Sequence, residues 1–242
     1  MIEQNQVKGS AMRFHISYAL ILSVLLSGCG KSGGGDGGGS ASTGPVTSTL
    51  AFPFLSADKT TVANGWTKNF TISGNCSGSG TVTISPAATA ATFEGVPALA
   101  SGRAITGSYT NCTPASFAET RTSYFDSNYI RLGSSSSSSY SLYLTPLTIP
   151  TSVTVGTSGT MGTSTTYTDS TKATGNGRTD VSYVIEADTS TTAIVNVIQK
   201  NYNSAGTLTA TSQSRDRIAA TGALTPISLD LQGATHELWT YH

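Results

Sequence analysis

Residues able to carry chemistry are sparse in this 242-residue chain. Residues 30–242 hold two histidines, His236 and His242, both at the C-terminal end, so a Ser-His-acid arrangement would have to use one of them. No Gly-x-Ser-x-Gly turn leads into a helix to present the nucleophile. Glu186 and Asp188 are two apart and would share a strand face near a turn. Solvated edge charges account for them better than the two acids of glycoside hydrolysis, which must flank a cleft. Asp126-Ser127-Asn128 and Asp169-Ser170 offer calcium-type oxygens, but without the dense acid spacing of a loop site, and Asx turns account for both. Arg215-Asp216-Arg217 alternates charge and reads as an exposed cross-strand set. Trp239 and Tyr241 share one face of the last strand, where core packing is the first reading and a carbohydrate or peptide platform the second. No catalytic residue, metal or cofactor is assigned, and a non-enzymatic protein is expected.

The most informative motif lies near the N-terminus. Arg13 and His15 precede the apolar run Ile16 to Leu26, and Leu26-Ser27-Gly28-Cys29 follows at once, which is the layout of a signal peptide. Eleven residues reach about 16 Å as a helix, against roughly 30 Å of hydrocarbon, too short for a transmembrane span. Small residues before Cys29 suit a peptidase cleft, and the thiol suits acylation. The segment resembles bacterial lipoproteins, whose lipobox is a Leu, two small residues and a Cys. The resemblance covers residues 12–29 and implies lipid on Cys29, cleavage after Gly28 and membrane association. Met1 to Ala11 would make an unusually long polar lead, so translation is expected to begin at Met12. Gly30, where an Asp commonly marks inner-membrane retention in the family, implies the outer membrane by the same resemblance. Residues 29–48 then read as lipidated Cys and Gly/Ser-rich tether, with a reach of roughly 25 Å. The Gly33 to Gly39 run is linker rather than a calcium or phosphate loop, because neither a neighbouring coil nor a following helix completes a site.

With Cys29 assigned to lipid, Cys76 and Cys112 remain, an even number in an exported chain, and a disulfide is expected between them. A reactive thiol or metal site would need further ligands or a base that the sequence does not supply.

These groups must be positioned by strands. Charged residues make up 11% of the chain, against roughly a quarter in ordinary domains, with 13 basic and 13 acidic side chains. Ser and Thr fill about a third of the positions after residue 28, a bias that disfavours helices and suits strands and turns. Removal of residues 1–28 takes away Glu3, Lys8 and Arg13 and leaves 11 basic and 12 acidic groups. Such a surface has no basic stripe for nucleic acid and argues against charged ligands. Turn residues recur every eight to twelve positions between runs rich in Val, Ile, Thr, Tyr and Phe, and no stretch after Leu26 shows a 3.6-residue apolar period. The expected class is all-β. Residues 49–148 read as an immunoglobulin-like sandwich containing the disulfide, although Trp66 precedes Cys76 instead of lying between the cysteines. Pro146 and Pro150 suggest a boundary, and residues 149–242 read as an antiparallel meander of about six strands, curling into a half-barrel or leaving a groove. Asn176-Gly177 and residues 203–206 supply its hairpin turns.

Three functions follow as expectations. The first is an outer-membrane lipoprotein with a structural or partner-binding, adhesive envelope role. The second is a periplasmic carrier that holds an apolar ligand or lipid in the C-terminal curved sheet. The third is an envelope hydrolase.

Overall fold

A computed structural model describes residues 47–242. The readings made for Met12, Gly30, the signal segment, the lipobox Cys29 and most of the tether fall outside these residues. The described residues belong to one compact unit.

One helix, α1 (Phe54–Asn64), is followed by β1 (Trp66–Gly74), β2 (Gly78–Ile84), β3 (Thr89–Phe93), β4 (Val96–Tyr109), β5 (Ser116–Phe125), β6 (Arg131–Ser135) and β7 (Tyr140–Tyr143). β8 (Ser158–Tyr167), β9 (Gly175–Ala187), β10 (Thr192–Asn203), β11 (Leu208–Ala219), β12 (Leu224–Gln232) and β13 (His236–Tyr241) complete the chain. From β4 to β13 each strand pairs with the next. β13 pairs with β1, β1 with β2, and β2 with β4, so twelve antiparallel strands close into a barrel. β3 is the thirteenth strand, lapped on the same edge of β4 as β2.

The all-β class is therefore as expected, and the closure is not. Residues 49–148 do not form a separate immunoglobulin-like sandwich, and Pro146 and Pro150 mark no domain boundary. Strands on both sides of residue 148 share one sheet, because the ladders of β13 with β1 and β7 with β8 join the two halves. The expected six-strand meander is present as β8–β13 and continues the barrel wall. Asn176-Gly177 is not a turn: it lies within β9, and the connection falls at residues 168–174.

Strand parity decides what faces inward. On β10, Ala193, Val195 and Val197 face the lumen, opposite Ile185 and Tyr183 of β9 and Ile218 of β11. On β1 and β13, Phe70, Ile72 and Trp239 do the same, with Phe70 stacked on Trp239 at 4.4 Å between centroids. Close approach is possible because glycines sit opposite the rings: Phe70 pairs with Gly80 and Phe117 with Gly107, and a Cβ on either glycine would meet the ring at 2.5 or 2.4 Å. Outside the barrel, the β3–β4 hairpin folds Phe93 over Gly133 and against Tyr124 and Tyr140.

The helix was not legible because its inward face, Phe54, Ala57, Asp58 and Val62, carries a charge in the middle of the apolar spacing. Ser56, Thr60 and Thr61 turn their hydroxyls back onto the carbonyls of Pro53, Ser56 and Ala57. It is strapped at both ends. Phe52 forms a β-bridge with Val153, and the amide of Ala87 donates to Val62 O at 3.0 Å. Pro146 and Pro150 thus belong to the segment that runs between β7 and β8 and clamps α1, with Leu55 N donating to Pro150 O. The buried cluster around Phe52, Phe54, Val195 and Ile218 closes this end of the barrel.

At the opposite end, Cys76 in the β1–β2 loop is disulfide-bonded to Cys112 in the β4–β5 loop, as expected. Asn75 and Asn111 reinforce the tie: Ser77 N donates to Asn111 Oδ1 at 2.6 Å and His236 N to Asn75 Oδ1 at 2.7 Å. The bond closes a 36-residue separation, for which loop entropy gives about 3 to 4 kcal/mol. The paired Cys76→Ser/Cys112→Ser variant is expected to lose about that much unfolding free energy in denaturant titration, and wild type assayed in reductant should match it. An unchanged midpoint would refute the assignment.

Candidate functional site: the barrel lumen

The end opposite α1 is open. A cavity of about 1010 Å³ lies inside the barrel mouth, rimmed by Ser136–Ser138 and Gly233–Thr235. One wall is aromatic and aliphatic: Tyr109, Phe117, Leu229, Leu231 and Trp239. Their polar tips are occupied at Glu237, which accepts from Trp239 Nε1 at 3.0 Å and from Tyr109 Oη at 3.3 Å. Burial and the Glu237 carboxylate both raise the Tyr109 phenol above its ordinary value.

Deeper along the same β4 and β5 strands the lining becomes charged. Arg103 and Arg121 are direct cross-strand partners on β4 and β5, with Glu119 two residues away on the same face. Arg103 Nη2 donates to Glu119 Oε1, while Arg121 Nε lies 3.9 Å from the same oxygen. Both Nε atoms are buried and have no hydrogen-bond partner among the described residues. Burial, then Arg103, depress the Arg121 guanidinium, with Glu119 opposing and Arg131 adding to the depression.

Deeper in, a hollow of about 270 Å³ gathers Arg103, Arg121 and Arg131 of β6 with Asp58 of α1 and Asp216 of β11. A second, of about 200 Å³, sets Arg121 and Arg131 against the hydroxyls of Ser134, Ser139, Ser141, Ser164, Thr166 and Thr179. Arg131 also lies over the Phe125 ring, 5.5 Å from its centroid. Gln199 borders the mouth and both hollows, so the lumen has three strata: an aromatic mouth, an arginine layer, and the acid-bearing top of the helix plug.

Most chemistry singled out in the sequence lies elsewhere. Glu186 and Asp188 are on the outer wall, paired with Arg215 at 3.3 Å and Arg217 at 2.7 Å. His236 Nε2 bonds Asp230 Oδ1 at 3.0 Å, and His242 Nε2 meets Thr71 Oγ1 at 3.2 Å. Asp126 and Asp169 each cap their own turn by accepting backbone amides two residues on, as expected of Asx turns. Trp239 and Tyr241 do share an inward face; Trp239 is both core and cavity wall. The set Arg215-Asp216-Arg217 is a partial miss. Its arginines are outside, but Asp216 points inward with Ser214 and Ile218.

Arg103, Arg121, Arg131 and Asp58 escaped the sequence reading, and Asp216 was read as exposed. One signal was present: along β5 the inward set Phe117, Glu119, Arg121, Ser123 and Phe125 places charges between two aromatic ends.

No family model matches the chain, and neither does any curated protein or solved structure.

Burial pushes Asp58 to about 6, with Arg131 pulling the other way. Asp216 goes to about 7 through burial, with the Ser214 hydrogen bond opposing and Asp58 adding to the rise. Both ordinary values are 3.8, so the folded state holds protons that the unfolded chain releases. Their contribution to stability is full below about pH 4 and is lost as the pH rises through 6 and 7. Asp216→Asn is expected to flatten the decline between pH 5 and 8 and to be more stable than the parent at pH 8, by about 1–2 kcal/mol. Urea titrations at the two pH values check this; parallel declines would sink it.

Proposed function

We propose that this is a lipid-anchored envelope carrier, non-enzymatic, whose barrel holds a small ligand in its open end. The observation that carries the reading is the cavity of about 1010 Å³ at the barrel end opposite α1, rimmed by Ser136–Ser138 and Gly233–Thr235 and lined by aromatic side chains above Arg103 and Arg121. That volume is at the upper end of small-molecule sites, and an aromatic lining with a few polar groups is usual in them.

The outer face supports a barrel that works in water. Outward positions of β1 are Thr67, Asn69, Thr71 and Ser73, where a lipid-facing barrel would need an apolar band. The membrane attachment in this reading is the lipid on Cys29, in keeping with the lipobox, and Gly30 favours the outer membrane. The described chain enters at the closed end, where Ser48 Oγ donates to Ser190 O, and leaves the mouth clear. A disulfide fits an oxidising compartment. The adhesive or partner-binding role that the sequence favoured rests on the anchor, and the cavity favours the carrier instead. The ligand is held by the whole barrel, not by the C-terminal half alone.

Cys29→Ser is expected to shift the protein from the membrane to the soluble fraction of expressing cells. Native mass spectrometry of that variant should show a small molecule that is lost on unfolding. Persistent membrane association would refute the anchor, and a ligand-free mass in every preparation would refute the carrier.

A further inference from the structure

The arginine layer is more than a lumen with balanced charge. Arg103 and Arg121 face each other directly across β4 and β5, an arrangement that destabilises a sheet unless something relieves it. The carboxylate of Glu119 is hydrogen-bonded by Arg103 and not by Arg121. Among the described residues, Arg121 Nε is buried with no hydrogen-bond partner and reaches Glu119 only as an ion pair at 3.9 Å, while Arg131 lies over the Phe125 ring; each guanidinium presents five N–H donors in a fixed fork. Both border the hydroxyl-lined hollow of about 200 Å³, and Arg121 also borders the mouth cavity. Unused donors that converge beneath an open cavity describe a receptor for oxygen acceptors with negative charge. Directly above them lie Phe117, Leu229, Leu231 and Trp239, whose polar neighbour Glu237 is already bonded.

We infer that the lumen takes an anionic amphiphile: a carboxylate or phosphate head seated on Arg121 and Arg131 among the serine and threonine hydroxyls, with its apolar body along the Trp239 wall. This rests on the carrier reading and names its ligand class. Arg103 holds Glu119 aside, and Gln199 sits where mouth and hollow meet.

The test uses the full chain carrying Cys29→Ser and four probes: laurate, dodecyl phosphate, methyl laurate and inorganic phosphate, titrated by calorimetry and followed by tryptophan fluorescence. Laurate and dodecyl phosphate are expected to bind at least about tenfold tighter than the other two. Arg121→Gln should weaken the two anionic amphiphiles by about tenfold or more and leave methyl laurate unchanged. Its thermal midpoint should not fall, because a like-charge pair is relieved; Arg131→Gln is the second variant should the first fail to fold. Equal binding of laurate and methyl laurate, or an unchanged laurate affinity in both variants, overturns the anion seat and leaves the carrier reading standing. Inorganic phosphate binding as tightly as dodecyl phosphate overturns the apolar body. Binding of none of the four overturns the seat and the carrier reading together.

Discussion

Twelve strands closed into a ring enclose more space than their own inward side chains can fill. Barrels of about eight strands are just narrow enough for a packed interior, and the bore widens with strand number. Everything inside this protein follows from that excess. At one end the excess is taken up by α1, whose Phe54 and Ala57 pack against Val181, Ile185, Val195 and Ile218. The helix is short, 11 residues, and short helices in isolation are marginal. Its position is therefore secured by backbone bonds to neighbours, with Phe52 on Val153, Leu55 on Pro150, and Val62 on Ala87. At the other end nothing from the described chain enters the bore, and the same excess becomes the mouth cavity.

A wide bore also changes what a strand can carry on its inner face. In a packed sandwich Arg121 and Asp216 would be expelled or demand full pairing. Here the lumen has space beside them, so charges persist inside with few protein partners. Where packing is needed, rings lie on glycines of the neighbouring strand. Phe70 over Gly80 and Phe117 over Gly107 line one side of the lumen, and Phe93 over Gly133 does the same job on the exterior. Each pair fixes a register, since a slip of one residue would drive the ring into a Cβ and turn the inner face outward.

Local periodicity made the strands legible. The alternation Val181, Tyr183, Ile185 placed β9 correctly, and the two-faced apolar run Ala193 to Ile198 marked β10 as interior to the sheet. The disulfide was legible from cysteine number once Cys29 was set aside. Closure was not, because nothing local distinguishes β1 meeting β13 from two sheets lying face to face; that choice is made by long-range pairing of residues 70–74 with 237–241. Helix α1 was hidden by Asp58 in its apolar stripe and by three hydroxyl residues that bond back to its own backbone. The lumen charges were hidden for a related reason. Parity reading treats a charged residue on a strand as outward, a rule that holds only where the inner face is dry.

The chain's low charge takes on a different meaning once the lumen is known. Near-neutral composition argued against charged ligands because an exposed field would be too weak to steer them. Steering, however, concerns the field outside, and selection concerns the field where the ligand rests. Arg103, Arg121 and Arg131 meet in one hollow, while the exterior arginines Arg215 and Arg217 are matched by Glu186 and Asp188. The carboxyls that share the hollow, Asp58 and Asp216, are raised to about 6 and about 7, so near neutrality they are still partly protonated and offset part, not all, of the charge of the three guanidinium groups. The molecule therefore presents a polar, weakly charged wall of Ser and Thr to its surroundings and gathers three guanidinium groups at depth, where solvent screening is weakest. For the ligand proposed above, such a layout would make capture slow and unassisted at long range, but discriminating once the apolar part had entered past Trp239.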